Sequence, residues 1–310
     1  MPANSFTESD IPDLTGKVAL VTGGNSGIGK QIVSVLAAKG AKVYLAARSE
    51  EKYEKALQEI HRLKPDNPGQ IAFLKLDLST AQRAKEAADD FKRKETALHL
   101  LFNNAGIMGM ENGVLSDDGY ELRWATNVFG PFVFTYHLLP LLLQTSKSFP
   151  PGTVRIINIA SDSPKRLPKT GGIPLDDPTV GQNGAAMECY SYSKLASILI
   201  TRQLAKRHPG IWSFAPHPGT IGTEFMTKIG IPGPLLWVLN RTMFKTVQYG
   251  ALTPLYAGTS PTIDATQNGK FLMPVAKFED RLPHPQAGDD EFGATLWEWN
   301  MTAMKRAGAD

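Results

Sequence analysis

The chain reads as a doubly wound α/β domain, on three observations. Short segments that are apolar throughout recur along it: "KVALVTGG", "AKVYLAARS", "IAFLKLDLS", "ALHLLFNNAG", "VRIINIAS" and "IWSFAPHPG". Helical patterns separate them, and a glycine-rich turn follows the first. Strands that show no polar alternation are buried on both faces, which is the signature of a parallel sheet with helices above and below it. No linker rich in Gly, Ser or Pro divides the chain, so one domain over residues 14–310 is expected, with a parallel sheet of about seven strands. Residues 1–13 read as a flexible arm, 162–186 as a long loop, and about 220–250 as a small lid after the sixth strand.

The elements follow in order. After the first strand, "IGKQIVSVLAAKGA" places Ile28, Ile32, Val35 and Leu36 on one helical face, and Gly40 is the natural stop. After the second strand Ser49 is an N-cap, and Glu50 and Glu51 complement the positive helix end. The most lipid-like stretch, Val128 to Gln144, is broken by Pro131, His137 and Pro140 and falls short of a membrane span, so it reads as a buried helix or a subunit contact in a homo-oligomer. The loop "LPKTGGIPLDDPTVGQNG", Leu167 to Gly184, is long for a compact domain, and such loops are often functional. A helix from Met187 to Arg207 precedes the sixth strand.

Composition excludes several classes. The net charge is +3 with the charges scattered, so neither a nucleic-acid surface nor an anionic membrane surface is indicated. The single cysteine, Cys189, leaves no internal disulfide framework or cysteine metal cluster and fits a reducing, cytoplasmic setting; no metal site is expected. The N-terminus is polar with prolines and lacks the apolar core of a signal peptide, so export is not expected.

The chemistry-bearing residues lie at the C-terminal ends of the strands. In "TGGNSGIG", Thr22 to Gly29, glycines let the backbone approach a pyrophosphate while the helix N-terminus offers free N–H groups to the anion. The strand before it, the helix after it and a second strand ending about twenty residues later make this a dinucleotide site and the fold Rossmann-type. The second strand ends in Arg48 where an acid would serve a ribose 2′-hydroxyl; an Arg suits a 2′-phosphate, so NADP(H) is the expected cofactor. Glu50 or Glu51 bending back would serve NAD(H) instead. In "MECYSYSKLA", Tyr190 and Lys194 are one helical turn apart on one face and Tyr192 points elsewhere. A nearby ammonium favours the phenolate, so Tyr190 is the candidate proton-exchanging phenol.

Thr22-Gly23-x-x-x-Gly27-x-Gly29, "NNAG" at Asn103 to Gly106, Ser161, and Tyr190-x-x-x-Lys194 stand in one order along the chain. Together they resemble the compact form of the short-chain dehydrogenase/reductase family, over about Leu14 to Pro274. The resemblance implies catalytic roles for Asn127, Ser161, Tyr190 and Lys194: serine and tyrosine hold the carbonyl oxygen, tyrosine transfers the proton, and lysine holds the cofactor ribose. Asn127 would keep a lysine-bound water in the relay. It also implies that Gly23, Ser26 and Ile28 line the pyrophosphate and its ribose, Asp77 meets the adenine, Asn104 and Ala105 run beside the ribose, and Ile221 and Thr223 reach the carboxamide. Asn25, Gly27, Gly29, Leu78, Gly106, Pro218 and Gly219 complete that cofactor set, alongside Tyr190 and Lys194. Ser163 is the alternative serine.

The span from Ser161 to Tyr190 is longer than in many compact members, and with "GAKVYLAAR" and "SYSKLA" it resembles the retinol-dehydrogenase-like branch. That resemblance implies a small-molecule substrate, a lipophilic or polycyclic carbonyl or alcohol, with ketone or aldehyde reduction the expected direction. Phe225, Met226, Ile229, Leu235, Leu236, Trp237, Met243 and Phe244 would form an apolar lid. The competing readings are a non-catalytic NADP(H)-binding regulator and an isomerase or dehydratase on the same scaffold.

Overall fold

The computed structural model describes residues 6–64, 69–109, 112–177, 179–221 and 245–310. Its strands are β1 (Val18–Thr22), β2 (Lys42–Ala47), β3 (Ile71–Lys75), β4 (Leu100–Asn103), β5 (Arg155–Asn158), β6 (Trp212–Pro216), β7 (Phe271–Met273) and β8 (Lys277–Phe278). They form one sheet in the order β3-β2-β1-β4-β5-β6-β7-β8, parallel from β3 to β7, with β8 antiparallel at the edge. The sheet therefore has eight strands where about seven were expected. The extra one is only two residues long, too short to leave a pattern in the sequence.

The helices are α1 (Gly27–Ala38), α2 (Glu50–Leu63), α3 (Ala81–Lys94), α4 (Leu122–Lys147), α5 (Ala186–Arg207), α6 (Val247–Thr259) and α7 (Asp290–Arg306). Strand alternation feeds two separate cores. Leu20, Leu101 and Ile156 enter the core built with α3, α4, α5 and α7, whereas Val21, Phe102 and Ile157 enter the core built with α1 and α6. Each wholly buried Leu, Ile or Phe stabilises the fold by about 1.5–3 kcal/mol relative to exposure.

Residues 6–13, the expected arm, are packed here. Phe6 and Ile11 are buried in the second core, Phe6 lies edge-on to Tyr256 at 5.2 Å, and Glu8 accepts from Gln31 at 2.7 Å. Ser49 caps α2 by accepting from the Lys52 amide (3.4 Å), and Gly40 turns the chain after α1 with φ +91°.

Helix α4 runs unbroken through the lipid-like stretch, longer than the prolines suggested. It is long and apolar enough to cross a membrane by length alone, but 67% of its most apolar window is buried inside the chain. Pro131 comes just after the π turn Ala125–Phe129 and Pro140 lies further along, so this helix carries both prolines in its interior. The C-terminal part of the chain also touches this stretch: Trp297 of α7 lies edge-on to Phe132 at 4.9 Å, and His137 meets the Ala309 carbonyl at 2.7 Å. At Gly130 a Cβ would sit 2.1 Å from the Leu78 carbonyl oxygen, so only glycine lets α4 pass the end of β3 this closely.

Strand order reverses between β1 and β4. Ligands of open α/β sheets bind in the crevice at that switch, beyond the carboxyl ends of the strands. The glycine turn, the Asn103–Gly106 segment and Ser161 all open into it.

Candidate active site

The glycine turn is tied to the start of the β4 loop. Asn104 Nδ2 donates to the carbonyls of Thr22 (2.9 Å) and Gly23 (3.4 Å), and the amides of Asn104 and Ala105 both donate to Thr22 Oγ1 (3.0 and 2.9 Å). Asn104 is thus committed to shaping the turn. Gly23 has φ +64°, and Gly27 has φ +51°. A Cβ on Gly29 would lie 2.4 Å from both Asn104 Nδ2 and the Gly23 oxygen. Ser26 precedes α1 in an extended conformation and its hydroxyl does not cap the helix, which leaves the first-turn amides to a ligand. Asn25 is half-buried beside it. These are the features a pyrophosphate requires, and they fit a dinucleotide.

Arg48 is exposed at the end of β2, and among the described residues it has no ion pair. Asp77, at the end of β3, accepts from the Ser79 amide (3.0 Å) and pairs with Arg83 (3.1 Å). Burial raises its pKa, but the Ser79 bonds and the charges of Arg83 and Arg48 outweigh that and hold the carboxyl below its usual range. Leu78 is buried in the first core. On the far side of the crevice Ile28 and Ile221 close on Gly250, whose Cβ would lie 2.8 Å from Ile221 and 3.3 Å from Ile28. Pro218 is buried, and Gly219 turns with φ +89°. Thr223 and the lid residues Phe225 to Phe244 lie outside the described residues.

Ser161, just beyond β5, accepts from the Ser163 amide (3.1 Å) and shares a hydrogen bond with the Tyr190 phenol. Ser163 turns away: its carbonyl accepts from Ser191, and its hydroxyl has no partner among the described residues. Tyr192 is engaged by Glu188 at 2.7 Å, and burial with that carboxylate drives its pKa well up. Lys194 is buried, donates to the Ile159 carbonyl at 2.7 Å and lies 5.6 Å from the centre of the Tyr190 ring.

One sequence argument is corrected by this geometry. Burial pushes the Tyr190 phenol up to about 12 despite the Ser161 hydrogen bond, with Asp162 adding to the rise. The ammonium that was to favour the phenolate is held away by the Ile159 carbonyl, and burial lowers Lys194 itself to about 8.

Asn127 sits in a π turn, Ala125–Phe129, inside α4. Its Oδ1 accepts the Ile107 amide (2.8 Å), while Nδ2 donates to the Ile107 carbonyl (2.9 Å) and to Ser193 Oγ (3.1 Å). A Cβ on Gly106 would come 3.3 Å from Asn127 and 3.7 Å from Lys194. Behind them lies a cavity of about 30 Å³ lined by Lys194, Asn127, Asn103, Thr135, Asn158 and Ser197, room for one water. Asn103 Oδ1 is buried there without a partner among the described residues.

Two further groups escaped the sequence reading. His217 Nε2 lies 3.5 Å from Asp162, beside Ser161, and its Nδ1 accepts the Gly219 amide at 3.4 Å; burial pushes its pKa down to about 4, so it is neutral. The available signal was the histidine directly before Pro218-Gly219. The other is a buried Glu121–Arg123 ion pair, signalled only by two charges inside the apolar "YELRWATNVF".

A serine, a tyrosine and a lysine gathered at the switch point of a doubly wound sheet, beside a glycine turn, define an oxidoreductase that uses a nicotinamide cofactor. The chain belongs to the short-chain dehydrogenase/reductase family. Residues 17–170 match the short chain dehydrogenase family model. It is 38% identical over 300 residues to a short-chain dehydrogenase/reductase of Armillaria gallica, covering 96% of this chain and 93% of that one. It is 42% identical over 303 residues to an uncharacterized oxidoreductase of Schizosaccharomyces pombe, covering 95% and 86%. Among solved structures it resembles the Pseudomonas aeruginosa RhlG/NADP active-site complex, with a TM-score of 0.64, 26% identity and coverage of 85% and 96%.

Proposed function

We propose that the protein is an NADPH-dependent reductase of a lipophilic or polycyclic ketone or aldehyde. The observation that carries this reading is the Tyr190 phenol hydrogen-bonded to Ser161, with Lys194 5.6 Å from its ring, at the strand ends beside the glycine turn: a group placed to give a proton to a carbonyl oxygen. When bound, the reduced nicotinamide supplies hydride to the carbonyl carbon. Ser161 and Tyr190 donate hydrogen bonds to the carbonyl oxygen as negative charge gathers on it, and the Tyr190 proton completes the alcohol. Lys194, cationic below about pH 8, steadies the phenolate left behind. The cavity between Lys194 and Asn127 supports a water that returns the proton. The lipophilic substrate class rests on the family branch and on the composition of the lid.

The choice of NADPH rests on Arg48, an exposed cation at the end of β2 without an ion pair among the described residues. Its forked guanidinium suits a 2′-phosphate and is expected to contribute on the order of 2–3 kcal/mol toward NADPH. Asn25 and Ser26 can hydrogen-bond that phosphate without neutralising it. The test is kcat/KM with NADPH and NADH on a panel of aldehydes, steroids, retinoids and polycyclic ketones, for the wild type and Arg48→Asp. A wild-type preference for NADPH that the variant loses supports the reading. Equal efficiencies, or an Arg48 variant that still strongly prefers NADPH, sink the cofactor assignment, and no consumption with any carbonyl sinks the activity.

A further inference from the structure

The Glu121–Arg123 pair is as deeply buried as any charge in the chain, at 1% and 0% exposure. Burying two charges costs several kcal/mol per ion, which attraction recovers only when every remaining donor and acceptor is matched. The matching is thorough here. One Glu121 oxygen accepts Arg123 Nη1 (2.6 Å), and the other accepts the amides of Arg123 (2.8 Å) and Trp124 (3.0 Å), capping α4. The Arg123 Nε donates to the Met108 carbonyl (2.7 Å), and Nη2 reaches Asn112 at 3.5 Å.

What the pair joins bears on the reaction. Met108 follows Ile107, which Asn127 grips by both its amide and its carbonyl. Arg123 and Asn127, four residues apart on α4, thus hold consecutive residues of the segment leading out of the crevice. On its other side the Glu121 amide donates to the Thr179 carbonyl (2.8 Å), and Gln182 reaches the Gly113 carbonyl (3.3 Å). The 177–182 turn is tied down again where Asp177 accepts from Thr179 and Gly181, and where Cys189, the neighbour of Tyr190, donates to the Gly181 carbonyl (3.0 Å).

That turn stores strain. Val180 is buried and adopts φ +54°, a left-handed conformation that a β-branched residue takes only when its surroundings over-determine it. A strained turn, a buried ion pair and two loops flanking the catalytic phenol form one connected unit.

We propose that Glu121 and Arg123 are positioning residues: the pair clamps the chain at Met108 and Asn112 to the 179–182 turn as a pre-formed wall beside Tyr190 and so sets how closely the carbonyl substrate fits. The kinetic part rests on the reductase reading above, whereas the clamping does not. The contacts of the pair itself reach Met108, Asn112 and Thr179 rather than the glycine turn, so loosening them weakens substrate fit and leaves the dinucleotide in place.

The test compares the wild type with Arg123→Lys, which keeps the charge without the fork, and with Glu121→Gln/Arg123→Met, which removes both charges together. Amide hydrogen exchange on the isolated protein reads the clamp. Exchange at Glu121, Thr179 and Gly181 is expected to speed up by about tenfold or more while the strands β1 to β6 stay protected. In the kinetic arm, KM for the carbonyl is expected to rise about fivefold or more with KM for NADPH within about twofold. Exchange that speeds up equally in the strands, or unchanged local exchange, overturns the clamp. A KM shift shared by substrate and NADPH overturns the link to substrate fit. Should the double variant fail to fold, Arg123→Lys decides both arms. Should no carbonyl be turned over, the exchange result still stands or falls on its own.

Discussion

Gly29→Ala tests why the glycine turn has its shape. The added methyl would sit 2.4 Å from the Asn104 amide nitrogen and from the Gly23 carbonyl oxygen, whereas ordinary contact begins at 3.4 Å. Something must move by about 1 Å, and neither neighbour is free, since Asn104 is bonded to Thr22 and Gly23 and the Gly23 oxygen is backbone. Overpacking of this kind costs about 1–3 kcal/mol, a lost Asn104 hydrogen bond about 1 kcal/mol more, and the better helix propensity of alanine returns about 1 kcal/mol. The net loss of about 1–3 kcal/mol corresponds to a fall in Tm of about 2–4 °C at this chain size. The turn also presents its amides to the pyrophosphate, and losing one charge-assisted bond, about 1.5–3 kcal/mol, weakens dinucleotide binding by about tenfold or more. Thermal melts with a fluorescence titration of NADPH read both effects. Gly171→Ala is the control, because its Cβ would make ordinary contact with Pro168, 3.6 Å from the oxygen and 3.7 Å from the Cβ. A Gly29→Ala protein that melts and binds like the wild type refutes the steric argument; one that melts lower but binds normally confines the glycine to folding.

Tyr190→Phe is expected to lower kcat by about a hundredfold or more with NADPH binding nearly kept, while Tyr192→Phe stays within about threefold; the reverse order would reassign the phenol. With Lys194 titrating near 8 and Tyr190 near 12, the pH profile of carbonyl reduction is expected to fall above about pH 8 with the loss of the lysine charge, and a flat profile to pH 10 would remove Lys194 from the step. His99 and His217 are held neutral by burial, both near 4. The unfolded chain therefore binds more protons between pH 4 and about 6.5, and stability falls as pH drops through that window, by on the order of 3 kcal/mol per histidine. His99→Gln should retain the Val18 amide bond and flatten the decline of Tm with acid, and an unchanged decline would clear His99.

The strands were legible because each buries both faces and so reads as an uninterrupted apolar run; Val18–Thr22 and Arg155–Asn158 are seen directly. Ser49, Gly40 and the Tyr190 helix were legible through caps and periodicity. The α7 helix, with Asp289 as its cap, carries the same kind of signal in "DEFGATLWEWNMTAMKR", although no expectation above covers it. Other features have no local signature. A π turn at Asn127 follows from how α4 must pass Leu78 and meet Ile107, and the packing of Phe6 depends on Tyr256, far along the chain. The Glu121–Arg123 pair needed the fold to show that two charges in an apolar run face each other.

The largest change from sequence to structure is electrostatic. Helical spacing put Lys194 beside Tyr190 and suggested an acidic phenol, but spacing fixes only which face a side chain leaves from. Where the chain ends is decided by hydrogen-bonding demand, and the Ile159 carbonyl at the end of β5 takes the ammonium at 2.7 Å. Within the protein alone the site therefore pairs a protonated phenol with a lysine of lowered basicity. On the proposed reductive reading that is the useful resting state: the proton is in place before the carbonyl arrives, and the lysine charge matters most once the proton has gone. In the oxidative direction the same burial works against the chemistry, since a phenol near 12 is a poor base at neutral pH without help from a bound cationic group. The two directions should therefore respond oppositely to alkali, with oxidation rising over the range where reduction declines. Parallel pH profiles would show that Tyr190 does not set the rate in either.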